Sequence, residues 1–340
     1  MSNHLLIPDI ICNIEPLIGQ TDLLNLISTC KTCRRSDNLY FREHYINYDN
    51  IKSDIVESIY DNILRSSLKN LLKRVKKIKN IDNIKILKNI DKLTNLTFGR
   101  EYIEPILKDV LPSSLTHLTF GWYYNKPIEK DILPLCLTHL TFGEEYTQPI
   151  LKDTLPLSLT HLTFGSYFDQ PIIKDVLPSS LTHLTFESYF DQPIFKDVLP
   201  VSLTHLTLKK KYNQPIGKDV LPISLTHLTL GNNYNQPISK DELPSSLTHL
   251  RFGYSYNHPI FKDILPSSLT HLRFGWEYNQ PISKDVLPSS LRHLIVGWNY
   301  DKPISKDVLP LSITQITFYW NSQRNLIEFD PWFKIDYETK

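Results

Sequence analysis

The chain is 340 residues long and its charges nearly cancel, 37 Lys and Arg against 36 Asp and Glu, for a net of +1. That balance excludes the strong basic excess of a dedicated nucleic-acid binder and any polyacidic tail. No apolar leader or 18-residue apolar run occurs and four cysteines, Cys12, Cys30, Cys33 and Cys136, are too scattered for a disulfide scaffold, so no membrane span is expected and an intracellular, cytoplasmic protein is.

Residues 1–48 carry Ile7-Pro8-Asp9-Ile10-Ile11, then Ile14, Leu17, Asp22-Leu23-Leu24 and Leu26, then Ser28-Thr29-Cys30-Lys31. This stretch resembles an F-box, in which an Ile/Leu-Pro start leads into short helices and a Cys-Lys pair closes the second. The resemblance implies a small helical domain that docks a Skp-type adaptor of a cullin–RING ubiquitin ligase. Carried onto this chain, the docking surface includes Ile7, Pro8, Ile10, Ile11, Leu23, Leu24 and Leu26. The positions after Cys-Lys are Thr32, Cys33 and Arg34, where the family usually has Trp or Arg. Cys30 and Cys33 form a lone CxxC: zinc requires a second pair and redox chemistry a βαβ context, and neither is present.

Over residues 49–92, Ile55, Ile59 and Ile63, then Leu68 and Leu72, follow helical spacing. The basic run Lys73, Arg74, Lys76, Lys77 and Lys79 reads as a solvated helix face rather than a nucleic-acid or lipid contact. Ile84, Ile86 and Ile90 then lead into the repeats. The pattern predicts a helical connector that also covers the first coil, because the terminal repeats of a solenoid need caps.

Residues 93–318 are a tandem array. Nine consecutive 22-residue units run from Leu111 to Val308 without insertion or deletion, flanked by partial units at Leu93–Val110 and Leu309–Phe318. Each of eleven segments has the general form Leu-x-x-Leu-x-Phe, as at Leu115, Leu118 and Phe120. The alternation predicts a short strand with Leu118 and Phe120 inward and His117 and Thr119 outward. Gly121, Asn125 and Pro127 end the strand and turn the chain. Pro112 and Pro127 forbid a regular helix on the return, leaving an extended path or one 3₁₀ turn. A single coil cannot bury its apolar face, whereas stacked coils can, so a repeat solenoid with a parallel β-sheet is expected.

The unit Leu-Thr-His-Leu-Thr-Phe-Gly-x-x-Tyr-Asn-x-Pro-Ile, as at Leu115 to Ile128, resembles the FNIP repeat; Tyr234, Asn235, Pro237 and Ile238 form the stretch that gives the family its name. That family is abundant in social amoebae and in giant DNA viruses of amoebae. It is regarded as related to leucine-rich repeats, which implies a leucine-rich-repeat-like parallel β solenoid. One departure is that Asn125 comes five residues after Phe120, where the usual leucine-rich repeat has its Asn at three, so the turn geometry is expected to differ.

Two columns run through the array. Nine histidines, His117 to His293, recur at 22-residue spacing, with Asn95 and Gln315 at the column ends. A line of single ligands does not converge on a metal, so a structural ladder is expected. The Lys-Asp pair recurs ten times, from Lys108-Asp109 to Lys306-Asp307, too spread for one catalytic pocket and suited to ion pairs within or between coils. No nucleophile triad, phosphate loop or catalytic carboxylate pair stands outside the pattern. The sequence therefore predicts no enzyme, no cofactor and no metal.

What varies among coils is the outward surface. The two residues after the strand Gly change from coil to coil, and the outward Thr becomes Arg251, Arg273 and Ile295 late in the array. Arg251 and Arg273, with Tyr254, Trp276 and Trp298, are the candidate target-binding residues, since Arg and aromatics dominate binding hot spots. Neutral variation of exposed positions explains the same pattern. Residues 319–340, with Trp332 and Phe333, are expected to cap the end of the array. The chain reads as an interaction adaptor of the F-box type, linking a target protein held by the repeats to a cullin–RING ligase. The alternative is a scaffold outside any ligase, whose N-terminal helices only cap the solenoid.

Overall fold

The computed structural model describes residues 76–81, 84, 87, 90 and 92–318, and as backbone 45–47, 319 and 334–338. The chain divides into two compact units, Met1–Glu145 and Tyr146–Lys340. In the first, β1 (Tyr45–Asn47), β2 (Lys77–Ile81), β3 (Asn95–Phe98), β4 (His117–Thr119) and β5 (His139–Thr141) pair in sequence order, all parallel. In the second, the strands are β6 (His161–Phe164), β7 (His183–Phe186), β8 (His205–Leu208), β9 (His227–Thr229) and β10 (His249–Arg251). They continue with β11 (His271–Arg273), β12 (His293–Val296), β13 (Gln315–Tyr319) and β14 (Lys334–Glu338). Each of these again pairs parallel with the next. Strands β3 to β13 are the eleven expected from the repeat, and the fold is a parallel β-solenoid.

The register repeats the sequence period: His249 pairs with His271 and Leu250 with Leu272. Each residue type therefore lies beside its own kind, about 4.8 Å away. Inside, Leu247, Leu250, Phe252, Tyr256 and Ile260 are all buried, and their aromatic rings stack coil on coil, Phe252 on Phe274 at 5.6 Å and Tyr256 on Tyr278 at 6.2 Å. Burial of each such side chain contributes roughly 1.5–3 kcal/mol before entropy, a gain available only to stacked coils.

The return side is made of single turns. Ile132 N–H donates to Glu129 O at 3.4 Å, and Asp131 between them sits at φ 64°, a left-handed conformation that Asp and Asn tolerate better than most residues. The Asp of the Lys-Asp pair takes this conformation from Asp109 through Asp285. At the last pair the chain forms a short 3₁₀ turn, Lys306–Val308, instead. Lys108, Lys174, Lys196, Lys218 and Lys262 each reach the Asp of the following coil, as in Lys196–Asp219 at 3.2 Å. These exposed pairs contribute little individually.

The expected helical connector is corrected at Lys77–Ile81, which is a strand paired to β3. Ile78 and Ile81 are both buried although they stand three apart. Asn80, at φ 57°, lies within a register shift that sets Ile78 opposite Leu96 and Ile81 opposite Phe98. The extra residue of such a bulge turns strand alternation into an apparently helical spacing. Lys77 and Lys79 thus belong to a strand, not to a helix face.

Candidate functional site

Polar side chains outside the apolar core tie each coil to the one before. Ser246 Oγ donates to Leu225 O at 2.7 Å, and Thr248 Oγ1 donates to Thr226 O at 3.1 Å. The Asn column, five residues past the strand Phe, does the same from its side chain: Asn235 N–H donates to Asn213 Oδ1 and Asn257 N–H to Asn235 Oδ1. These bonds fix the backbone on which the outward residues stand.

The candidate site is the outward face of β9 to β12, in the second unit. Leu250 points inward, while His249 and Arg251 project to the other side of β10. The rings of His227, His249, His271 and His293 stack at 4.1, 4.0 and 4.3 Å. Arg251 stands in register with Arg273, and Arg273 with Ile295. Together the four histidines, the two arginines, Thr229 and Ile295 line a shallow open depression.

The histidines there are chemically constrained. Thr248 Oγ1 is 2.9 Å from His249 Nδ1, and Thr270 Oγ1 is 2.9 Å from His271 Nδ1. Burial, and after it the charges of neighbouring imidazoles, lower the pKa of His249 and His271, and bring His227 down to about 4. The neutral imidazole is therefore favoured at His227, His249 and His271.

Of the residues named from sequence, Arg251 and Arg273 come together in the depression. Three residues along each coil, Tyr254 stacks on Trp276 at 5.5 Å and Trp276 on Trp298 at 4.7 Å. Backbone bonds hold these turns in line, Glu277 N–H to Tyr254 O and Asn299 N–H to Trp276 O, both 2.9 Å. Tyr254 is 44% exposed, and the two tryptophans are partly exposed. The adaptor-surface residues Ile7, Pro8, Ile10, Ile11, Leu23, Leu24 and Leu26, with Cys30 and Cys33, lie outside the described residues.

The Thr preceding each column His was missed by the sequence reading, although the Thr-His pair recurs from Thr116-His117 to Thr270-His271. Also missed was a cluster in the first unit, where the Arg100 guanidinium lies 5.1 Å from the Trp122 ring and 5.4 Å from that of Tyr123. Among the described residues no group of three or more His, Cys, Asp or Glu is placed to hold a metal ion, and no helix is long and apolar enough to cross a membrane.

The fold and its outward strand face define a leucine-rich-repeat-type solenoid, a class whose surfaces bind other proteins. The family model described as FNIP Repeat matches residues 83–123, 124–167, 168–211, 212–255, 256–297 and 278–319. The chain belongs to the FNIP repeat family. Among solved structures it is similar to CroV588, described as a novel circular LRR protein, at 49% identity and a TM-score of 0.66 over 71% of this chain. The match spans only 35% of that protein's length. YopM from Yersinia enterocolitica, at 18% identity, a TM-score of 0.35 and 74% of each chain, is too distant to bear on the fold. So is an internalin from Listeria monocytogenes, at 14% identity, a TM-score of 0.42, and 80% of this chain against 84% of that one. A sequence search of curated proteins finds no match.

Proposed function

We propose that the chain is a protein-binding adaptor whose repeats hold an acidic, aromatic-compatible segment of a target on the outward face of β10 to β12. The observation that carries this reading is the register of Arg251 beside Arg273 in a depression, with the row Tyr254, Trp276 and Trp298 on the same coils. Guanidinium groups engage carboxylates in bidentate fashion, and aromatic rows on a surface mark contacts. The earlier coils carry Thr at the Arg positions, so Arg251→Thr with Arg273→Thr leaves the frame intact. That pair, or Trp276→Ser, is expected to abolish capture of a target identified by pull-down; undiminished capture overturns the assignment.

In the same reading, residues 1–48 recruit a Skp-type adaptor of a cullin–RING ligase through Ile7, Pro8, Ile10, Ile11, Leu23, Leu24 and Leu26. The support is the sequence resemblance to an F-box. Substituting Ile7, Pro8 and Leu24 with Asp should abolish adaptor binding in a pull-down, and a wild-type chain that binds no adaptor removes the ligase role. A second reading, an N-terminal part that serves to cap the array, is favoured by β1, which pairs Tyr45–Asn47 with β2.

A further inference from the structure

Hydrogen bonding limits what the histidine column presents to a ligand. The Thr248 and Thr270 hydroxyls lie 3.1 Å from main-chain carbonyls one coil back, carbonyls that also accept the backbone N–H groups of the Thr and the following His. The same hydroxyl oxygens lie 2.9 Å from the imidazole Nδ1 atoms, so one nitrogen of each ring is engaged along the column. At His293, Arg292 replaces the Thr, and Gln315 Oε1 lies 3.0 Å from Nδ1. A neutral imidazole carries a single N–H and no charge, so a carboxylate lying across Arg251 and Arg273 meets charged donors from the arginines alone. A ring that takes up a proton adds a charge and donates from both nitrogens.

We propose that the depression over β9 to β12 binds a carboxylate-bearing segment with uptake of protons by its histidines, so that mildly acidic pH strengthens capture. The inference rests on the reading of Arg251 and Arg273 as target contacts. Among the described residues, every charged or titratable group lining the depression is basic: His227, His249, His271 and His293 in the column, and Arg251 and Arg273 beside it. Arg292, next to His293 in sequence, adds its charge against His271. No carboxylate among the described residues lines it. With no anion bound, stacking sets each imidazolium against its neighbours, and burial reinforces the neutral form. A bound carboxylate supplies a counter-charge. Adjacent rings at 4.0 Å resist double ionisation, so uptake of one proton per pair of rings follows. Affinity then rises by up to about tenfold per pH unit for each proton taken up.

The test uses the full chain and fluorescein-labelled hexaglutamate, whose carboxylates stay ionised above about pH 5.5. Between about pH 8 and about pH 6 the wild type should gain at least ~5-fold in affinity. In His249→Gln with His271→Gln the pH slope should vanish; Gln is already accepted in this column at Gln315. Arg251→Thr with Arg273→Thr should lose the probe at every pH. Side-chain nitrogen NMR gives a second readout: neutral imidazole in the free protein, converting to imidazolium when hexaglutamate is added. Binding that is flat with pH overturns the proton uptake and leaves the target reading standing, whereas no binding at any pH overturns both. A slope that survives the two Gln substitutions also overturns the proposal.

Discussion

Leu206 and His205 are neighbours in β8 that face opposite ways, and the contrast between them measures what each column contributes. Leu206 is 1% exposed and lies between Leu184 and Leu228, so Leu206→Ala removes packed methyl groups that a rigid stack cannot replace. The expected cost is roughly 2–5 kcal/mol. His205 stacks on His183 and His227 at 4.1 Å each but is half-buried, and Asn95 already fills the column's first place. His205→Asn should shift a urea midpoint far less than Leu206→Ala; equal midpoints would mean that the strand faces are assigned backwards. Alternation alone made this division legible in the sequence. Hidden from it was the placement of the Thr204 hydroxyl, 3.1 Å from Thr182 O and 2.8 Å from His205 Nδ1. A Thr between two core-directed Leu residues reads as an ordinary strand former. Nor did the sequence reveal that the Tyr234 hydroxyl is buried near the Ile216 backbone without a hydrogen-bonded partner. The Phe168 and Phe190 rings at the same place in earlier coils fit that finding.

At the scale of elements, the histidine column sets how the solenoid responds to acid. Burial lowers His161, and burial followed by the charges of other column histidines lowers His205, His227, His249 and His271, with His227 reaching about 4. An unfolded chain binds the same protons near pH ~6.5. The folded state is therefore the weaker proton acceptor, and its advantage is complete above that value. It is lost as pH falls from there through the folded value of about 4. Thermal midpoints stepped down through this window, in buffer without a polycarboxylate, should decline, and His227→Asn should make the decline shallower. A wild-type midpoint constant across the window would mean that the imidazoles ionise freely within the stack. The column was legible as a ladder because one residue type recurs at one phase. The left-handed turn at Asp109 to Asp285 was not, because Lys-Asp on a surface reads first as charge and only second as backbone conformation.

Across the whole molecule, strands β3 to β13 announced themselves through the 22-residue period, while β1, β2 and β14 did not. The outer strands join at other offsets: Lys77 pairs with Asn95, and Gln315 with Lys334. No self-similarity betrays them. Their presence matters because stability in a solenoid is a sum of coil and nearest-neighbour terms, so the strands that cover a terminal coil protect that coil before any other. Ile78, 1% exposed on β2 and opposite Leu96, is the side chain on which this cover turns. Ile78→Asp sets an unpaired carboxylate against β3, a placement that burial penalises heavily. Hydrogen exchange should then speed up in β2 and β3 by about tenfold or more, the equivalent of ~1.4 kcal/mol. The amides of β9 to β12, which carry the Arg and His face, should keep their protection. That outcome would let the N-terminal segment and the proposed target surface change independently, as the proposed two-partner adaptor requires. If protection fell equally at β9 to β12, the array would be opening as one cooperative body, and a change near its first coil would reach target binding through stability alone.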